Sequence, residues 1–277
     1  MDTPGFKTIL CPVDFGELSA HALRHANLLA GCGQARVIAV YANWFEAPAY
    51  FTAGRLDELR RQFQEALGEA ERSLKDFVDS TLGESGANVE RRVVEALPAN
   101  GIRELAASTG ADLIVMGTHG RSGFNRWTLG SVAERVLREI PVPLLTVRAA
   151  PRGPVQRIVS PIDGTDASRD AFRLAARLGA CFNAEITAVY VHESGAAPSV
   201  PDLCSWISDE ARERCSIREF ARHGDPAEEI VALASEEAFD LLVIGAPHKR
   251  FFEGLVMGTT TLRAVRHAPC PVLTVSG

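Results

Sequence analysis

Short apolar runs alternate with segments of helical periodicity along the first half of the chain. Near-continuous apolar runs, which are typical of parallel strands covered on both faces, occupy residues 8–13, 36–42, 113–116 and 144–147, and a further strand is predicted at 89–94. Helical spacing of apolar residues is found in segments 19–30, 55–82, 98–108 and 131–139. This strict alternation of strand and helix predicts an α/β fold with a doubly wound parallel sheet.

The second half of the chain repeats the first. A shift of 149 residues places the segment 9–14 (Ile-Leu-Cys-Pro-Val-Asp) on 158–163 (Ile-Val-Ser-Pro-Ile-Asp), and it places Cys32 on Cys181. From Pro98 onward the shift is 128, so the second half lacks 21 residues (149 minus 128) that the first half has. Self-similarity over two long registers predicts a duplicated domain.

A short segment rich in proline separates the two copies. Residues 149–154 read Ala-Ala-Pro-Arg-Gly-Pro, which favours a stiff connection over a long flexible tether. We therefore expect two α/β domains, 1–149 and 155–277, in direct contact with each other.

Charge and hydropathy exclude several classes of function. The chain has 29 Lys and Arg against 35 Asp and Glu, a net charge of −6, which disfavours binding to nucleic acid through a general basic field. Its apolar runs are far too short to span a bilayer, and its first seven residues lack the apolar region of a signal peptide. We expect a soluble, cytoplasmic protein that binds neither nucleic acid nor a membrane.

Cysteine and histidine give weak indications of chemistry. Cysteine stands at positions 11, 32, 181, 204, 215 and 270, with no Cys-x-x-Cys pair and no zinc-finger spacing. We interpret the set as small buried hydrophobic residues in a reducing compartment, with redox or metal chemistry as the alternative. His21 and His25 could share a metal ion, but no third ligand is near in sequence, so we expect two solvated helix residues and no metal site.

Two strand ends carry the residues most suited to ligand binding. The first strand ends at Asp14, and the fourth is followed by 117–123 (Gly-Thr-His-Gly-Arg-Ser-Gly) and by Gly130-Ser131 at the start of a helix. Glycines allow a positive φ and a close approach to the backbone, and a helix start offers free amides and the positive end of a dipole. Although such glycines can be simple turn and cap residues, the whole arrangement at two neighbouring strand ends predicts a nucleotide site.

Three sequence features together resemble the universal stress protein family. They are the glycine pattern Gly117-x2-Gly120-x9-Gly130-Ser131, the strand end Pro12-Val13-Asp14, and the tail 141–147 (Pro-Val-Pro-Leu-Leu-Thr-Val). The duplication makes the chain similar to the tandem type of this family. For each half the resemblance implies a five-stranded sheet of order 3-2-1-4-5, with ATP, accompanied by Mg²⁺, between the first and fourth strands.

The resemblance also implies which residues contact the nucleotide. On the adenine and ribose side these are Pro12, Asp14 and Ala42. Around the ribose and the phosphates they are Met116, Gly117, His119, Gly120, Gly130, Ser131 and Val132. Arg121 is added as a phosphate partner on the ground of its charge alone.

The second half departs from this pattern. It reads Gly245-Ala246-Pro247-His248, so the second glycine of the motif is replaced by His248, and Pro247 has no amide hydrogen to donate. We expect a degenerate second domain and one ATP per chain, bound in the first half. In the alternative interpretation His248 donates a hydrogen bond to a phosphate.

The predicted function is that of an ATP-binding regulatory protein of the stress response, with at most slow hydrolysis. The phosphate loop has neither an obvious carboxylate base for water nor a Walker-type lysine, so no catalytic residue is assigned. One alternative is an ATP-using enzyme, an ATPase or an adenylyl transferase, although the loops typical of adenylation are missing. Another is an interaction scaffold without nucleotide. The sequence identifies no protein partner.

The fifth strand of each half predicts how the two domains meet. Segments 144–147 and 272–275 are apolar edge strands in the strand order that the resemblance implies, and exposed apolar edges are usually paired or covered. The resemblance also implies that single-domain members of the family pair these edges between two subunits. The short connection gives the two copies a high effective concentration. We therefore expect antiparallel pairing of these strands and an internal pseudo-dimer, while the formation of a homodimer through another surface stays open.

Overall fold

The computed structural model describes residues 5–44, 53–120, 129–192, 202–246, 249–251, 254–256 and 258–276. The strands of the first half are β1 (Thr8–Pro12), β2 (Arg36–Ala42), β3 (Glu90–Val94), β4 (Leu113–Gly117) and β5 (Leu144–Val147). Its helices are α1 (Glu17–Ala30), α2 (Ala53–Leu82), α3 (Pro98–Thr109) and α4 (Ser131–Glu139), with a 3₁₀ helix at Gly83–Asn88. The α-helices and strands are those predicted from the sequence, with ends that differ by no more than two residues.

The second half has the same order of elements with two changes. Its strands are β6 (Arg157–Pro161), β7 (Glu185–His192), β8 (Ile217–His223), β9 (Leu241–Ala246), β10 (Lys249–Phe251), β11 (Gly254–Val256) and β12 (Val272–Ser276). Its helices are α5 (Asp166–Phe182), α6 (Asp209–Arg214), α7 (Pro226–Glu236) and α8 (Thr259–His267), with a 3₁₀ helix at Leu203–Trp206. The 21-residue deletion leaves the six-residue α6 in place of the 30-residue α2, and the hairpin β10–β11 was not predicted.

Ten strands form one continuous sheet in the order β3-β2-β1-β4-β5-β12-β9-β6-β7-β8. Each half has the order 3-2-1-4-5 with parallel neighbours, and the halves meet through the antiparallel pair β5 and β12, in which Leu145 faces Leu273. Thr146 and Thr274 are buried in this seam, where the Thr274 hydroxyl donates a hydrogen bond to the Leu144 carbonyl (3.1 Å). The predicted fold and the pairing through strand five are confirmed.

Helices cover both faces of the sheet, and each resulting core draws on both halves of the chain. In β1 the fully buried Ile9 and Cys11 face one core, which extends to Phe172 of α5. Leu10 between them faces the other core, which extends to Ile230 of α7. Burial on both faces explains the continuous apolar runs and holds the strand ends rigidly.

An aspartate before the fourth strand anchors the first strand in each half. The Asp112 carboxylate accepts hydrogen bonds from the amides of Lys7 and Thr8, at 2.8 and 2.9 Å. The Asp240 carboxylate accepts the equivalent bonds from the amides of Gln156 and Arg157. This contact fixes the two strands that flank the expected ligand crevice in each half.

The interpretation of all six cysteines as buried hydrophobic residues is wrong for Cys32 and Cys181, which form a disulfide. The two positions are 149 residues apart in sequence, and only the packing of one half against the other brings them together. The interpretation is also wrong for Cys204, which is a free and exposed thiol. Cys11, Cys215 and Cys270 are buried, as expected.

The expectation that His21 and His25 are solvated helix residues is wrong for His25. Its side chain is buried against the connection between the halves, and its Nε2 donates a hydrogen bond to the Ala149 carbonyl (3.1 Å). Burial lowers the pKa of His25 to about 4. Within the described ranges, no group of three or more His, Cys, Asp or Glu side chains could hold a metal ion.

Among the described residues, no helix is both long enough and apolar enough to cross a membrane.

Candidate functional site

A cavity of about 290 Å³ opens at the carboxyl ends of β1 and β4. This is the place where a doubly wound sheet binds its ligands, because the strand order reverses there. The predicted site residues that line the cavity are Pro12, Asp14, Ala42, Met116, Gly117, His119, Gly120, Gly130, Ser131 and Val132. Arg121, the remaining predicted residue, lies outside the described residues.

The carboxylate of Asp14 is held in a fixed orientation at one side of the cavity. Its Oδ1 accepts hydrogen bonds from the Gly16 amide (3.0 Å) and from the Ser19 hydroxyl (2.5 Å). The Asp14 amide in turn donates to Ser19 Oγ (3.0 Å). Ser19 therefore acts as a positioning residue, and sequence reasoning missed it because a serine at a helix start has many other roles.

Gly117 and Gly120 are required for close approach and not for a positive φ, which corrects one part of the sequence argument. A Cβ on Gly117 would lie 2.7 Å from the Cβ of Leu18, so α1 packs directly against the end of β4. A Cβ on Gly120 would lie 3.0 Å from Oδ2 of Asp14, so the loop after β4 passes beside the carboxylate. Gly120 thus allows the loop after β4 to lie beside the Asp14 carboxylate, and both were predicted parts of the site.

The start of α4 presents unbonded backbone amides to the cavity. The Gly130 amide is not one of them, contrary to expectation, because it donates to the Thr118 carbonyl (2.7 Å). Gly130 is the N-cap residue and has no side chain that could bond to the first turn. Within the described part of the chain, the amides of Ser131, Val132 and Ala133 make no hydrogen bond. Together with the helix dipole, these amides favour an anion.

His119 lies in the loop between the two glycines. Its Nδ1 is 3.0 Å from the Thr118 hydroxyl. Desolvation, and to a lesser extent the positive charge of Arg148, lowers the pKa of His119. The His119 ring is therefore uncharged at neutral pH, and it adds a polar but uncharged group to the cavity wall.

The remaining walls of the cavity are largely apolar. Lining residues that sequence reasoning missed are Val13, Val40, Tyr41, Pro98, Ile102, Thr118 and Ala133. Phe15 packs on Tyr41 with ring centroids 4.5 Å apart, and it has a φ of 64° where the repeat has Gly164. Val40 could have been identified as a lining residue from the alternation of side chains along β2, and Pro98 from its place at the start of α3. No sequence signal indicated the role of Phe15. One end of the cavity thus suits an apolar ring system, and the other suits anions.

A second cavity of about 200 Å³ occupies the equivalent place in the second half. Asp163, Gly245 and Gly258 line it, as the repeat predicts. The Asp163 carboxylate accepts two hydrogen bonds from Thr165, the residue that caps α5. Pro247 and His248, on which the expected degeneracy depends, lie outside the described residues.

The comparison with protein families decides the identification. A model of the universal stress protein family matches residues 5–148 and, a second time, residues 154–276. The chain belongs to the universal stress protein family. The two successive matches support the tandem arrangement of two universal stress protein domains in one chain.

Two relatives each match about half of this universal stress protein, and one solved structure matches its whole length. One, from Methanocaldococcus jannaschii, is 34% identical over 148 residues, which are 52% of this chain and 82% of the relative. Another, from Thermus aquaticus, is 31% identical over 144 residues, which are 52% of this chain and 99% of the relative. The crystal structure of a universal stress protein from Archaeoglobus fulgidus covers 100% of this chain and 99% of its own, with a TM-score of 0.69 and 19% identity. At this identity the likeness shows the shared fold alone.

Proposed function

We propose that the cavity of the first half binds an adenine nucleotide, ATP with Mg²⁺, and that the protein acts as a nucleotide-binding regulator in the stress response. One observation carries this proposal. A fixed carboxylate, Asp14, and three unbonded amides at the start of α4 line the same cavity, together with apolar walls. A nucleotide has matching parts, namely ribose hydroxyls, phosphates and an apolar ring system.

Each end of the cavity has a role in this proposal. The amides of Ser131 and Val132 and the Ser131 hydroxyl donate hydrogen bonds to phosphate oxygens. The Asp14 carboxylate accepts hydrogen bonds from ribose hydroxyls, while Ser19 keeps it in position. Apolar side chains such as Met116 contact the base. Since the described residues hold no cluster of acidic ligands, Mg²⁺ would be bound mainly by the phosphates.

The composition of the cavity supports regulation over rapid catalysis. Asp14 is the one carboxylate among the described residues of the cavity wall, and its Oδ1 already accepts two hydrogen bonds. The same described wall contains no lysine that could stabilise charge on a transferred phosphoryl group. We therefore propose at most slow hydrolysis of the bound ATP.

A substitution at Gly120 tests the proposed site. The first added carbon of Gly120→Val would lie 3.0 Å from Asp14 Oδ2, so the valine would crowd the carboxylate that we propose binds the ribose. We expect calorimetry with ATP and Mg²⁺ to show binding by the unaltered chain and none by the variant. Circular dichroism should show an unchanged fold.

A matched control is Gly68→Val, because an added Cβ on Gly68 in α2 would meet nothing within 4 Å. This variant should bind ATP as the unaltered chain does. Equal affinity of the Gly120 variant would contradict the assignment of the cavity. Failure of the unaltered chain to bind any adenine nucleotide would favour the scaffold hypothesis.

A further inference from the structure

The Cys32–Cys181 disulfide joins equivalent positions of the two repeats. Cys32 lies in the turn that follows α1, and Cys181 lies in the last turn of α5. Their Cα atoms are 5.7 Å apart, within the range that a disulfide requires. Both residues are partly exposed, so the bond lies at the border of the core and not inside it.

Other contacts hold the two halves together independently of this bond. The strands β5 and β12 pair in the continuous sheet, and both hydrophobic cores contain residues of both halves. Arg177 Nη2 of α5 donates a hydrogen bond to the Gly5 carbonyl (3.0 Å), and Arg148 Nη2 donates to the Val265 carbonyl (3.0 Å). None of these contacts involves the sulfur atoms, so we expect Cys32 and Cys181 to stay close together when the bond is reduced.

Burial protects three of the four remaining thiols from oxidation. The thiolate is the reactive form of cysteine, and burial disfavours it. Cys11 is completely buried, which raises the pKa of its thiol, and burial also raises the pKa of Cys215. In Cys270 burial raises the thiol pKa to about 12. Cys204 is the exposed thiol among the free cysteines, and the experiments below replace it with serine.

We propose that Cys32 and Cys181 form a reversible redox site that links the two halves covalently in response to peroxide. One cysteine thiolate attacks hydrogen peroxide, the O–O bond breaks, and the products are a cysteine sulfenic acid and hydroxide. The second thiol attacks the sulfenic acid sulfur, so that an S–S bond forms and water leaves. In total two thiols and one peroxide give one disulfide and two waters. A dithiol reverses the link by exchange and is itself oxidised to a disulfide.

The link constrains the helix that borders the proposed ligand cavity. At its start α1 fixes Asp14 through Ser19, and its Leu18 packs against Gly117. The turn after its end carries Cys32, so oxidation ties α1 to α5 of the other half. Because the closed loop spans 149 residues, the link also restricts the unfolded chain strongly.

Peptide mapping of the folded full chain tests the site. Trypsin releases Cys32 in peptide 25–36 and Cys181 in peptide 178–212, which also contains Cys204. The experiment therefore uses the Cys204→Ser variant, so that a cross-link between these peptides can only join Cys32 to Cys181. Dithiothreitol without denaturant should remove the cross-linked peptide, and one equivalent of hydrogen peroxide should restore it. The thiols of Cys11, Cys215 and Cys270 should stay reduced throughout.

Thermal unfolding gives a second measurement. In the Cys204→Ser variant the oxidised form should unfold roughly 5 °C or more above the reduced form. The double variant Cys32→Ser, Cys204→Ser should show no such difference. A cross-link that dithiothreitol removes only after unfolding would overturn the proposal, since the bond would then be purely structural. Peroxide that oxidises the buried thiols first, or that fails to join Cys32 to Cys181, would also overturn it.

Discussion

Gly117, Gly120 and Ser19 shape the candidate site at the carboxyl ends of β1 and β4. Leu18 occupies the space next to Gly117, and Asp14 occupies the space next to Gly120, so neither position can accept a side chain without movement. Sequence reasoning identified these residues from their spacing and gave two reasons, of which close approach to the backbone is correct and a positive φ is wrong. It also could not find Ser19, whose role depends on a hydrogen bond across five residues.

Ser131 provides a direct prediction at the scale of a single residue. In the proposed complex its hydroxyl donates one hydrogen bond to a charged phosphate, a contact worth about 1.5–3 kcal/mol. Ser131→Ala should therefore weaken the binding of ATP by roughly 10- to 100-fold in calorimetry, with the fold unchanged.

The repeat offers a matched control for this variant. Thr259 is the first residue of α8, at the position that corresponds to Ser131 of α4. Because the second half is expected not to bind nucleotide, Thr259→Ala should leave the affinity unchanged. If both variants weakened binding equally, ATP would not be confined to the first half.

Among the elements, α1 connects most parts of the molecule. Its start fixes Asp14, Leu18 contacts the end of β4, His25 meets the connection between the halves, and the turn after it carries the disulfide. The bounds of this helix were predictable from apolar spacing alone. Its partners were not, because a contact such as His25 to Ala149 joins residues that are 124 positions apart.

The burial of His25 in α1 predicts a dependence of stability on pH. Its pKa is about 4 in the folded chain and 6.5 in the unfolded chain, so between these values the unfolded state binds more protons. Stability therefore falls as the pH decreases from 6.5 towards 4, by about 2–3 kcal/mol in total. Chemical unfolding measured across this range should show the loss, in addition to any contribution from carboxylates.

The control for this effect is His25→Gln, whose amide can still donate a hydrogen bond to the Ala149 carbonyl. The difference in unfolding free energy between this variant and the unaltered chain should change between pH 6.5 and pH 4. If the difference were constant across that range, His25 would not titrate as its burial requires.

Some elements of the second half could not be read from the sequence. The strands β10 and β11 have three residues each, which is too short for a periodicity to develop. In contrast, β5 and β12 were predictable because they are mainly apolar and follow prolines. Their pairing was also predictable, because two unpaired apolar strand edges in the same chain can pair with each other.

At the scale of the whole molecule, the ten-stranded sheet makes the two halves one rigid unit with two inequivalent cavities. The internal repeat and the apolar edge strands predicted that the two halves join through their fifth strands. The disulfide was not predictable, since Cys32 and Cys181 coincide in the repeat but nothing in the sequence indicates that the packed halves bring them within bonding distance.

Native mass spectrometry of the full chain, titrated with ATP and Mg²⁺, tests the central claim most directly. We expect a single bound nucleotide per chain at saturation, because the first-half cavity is the larger one and because the second half has Pro247 and His248 where the first half has His119 and Gly120. Gly120→Val should abolish this bound species. Two nucleotides of equal affinity per chain, or none at any concentration, would contradict the account.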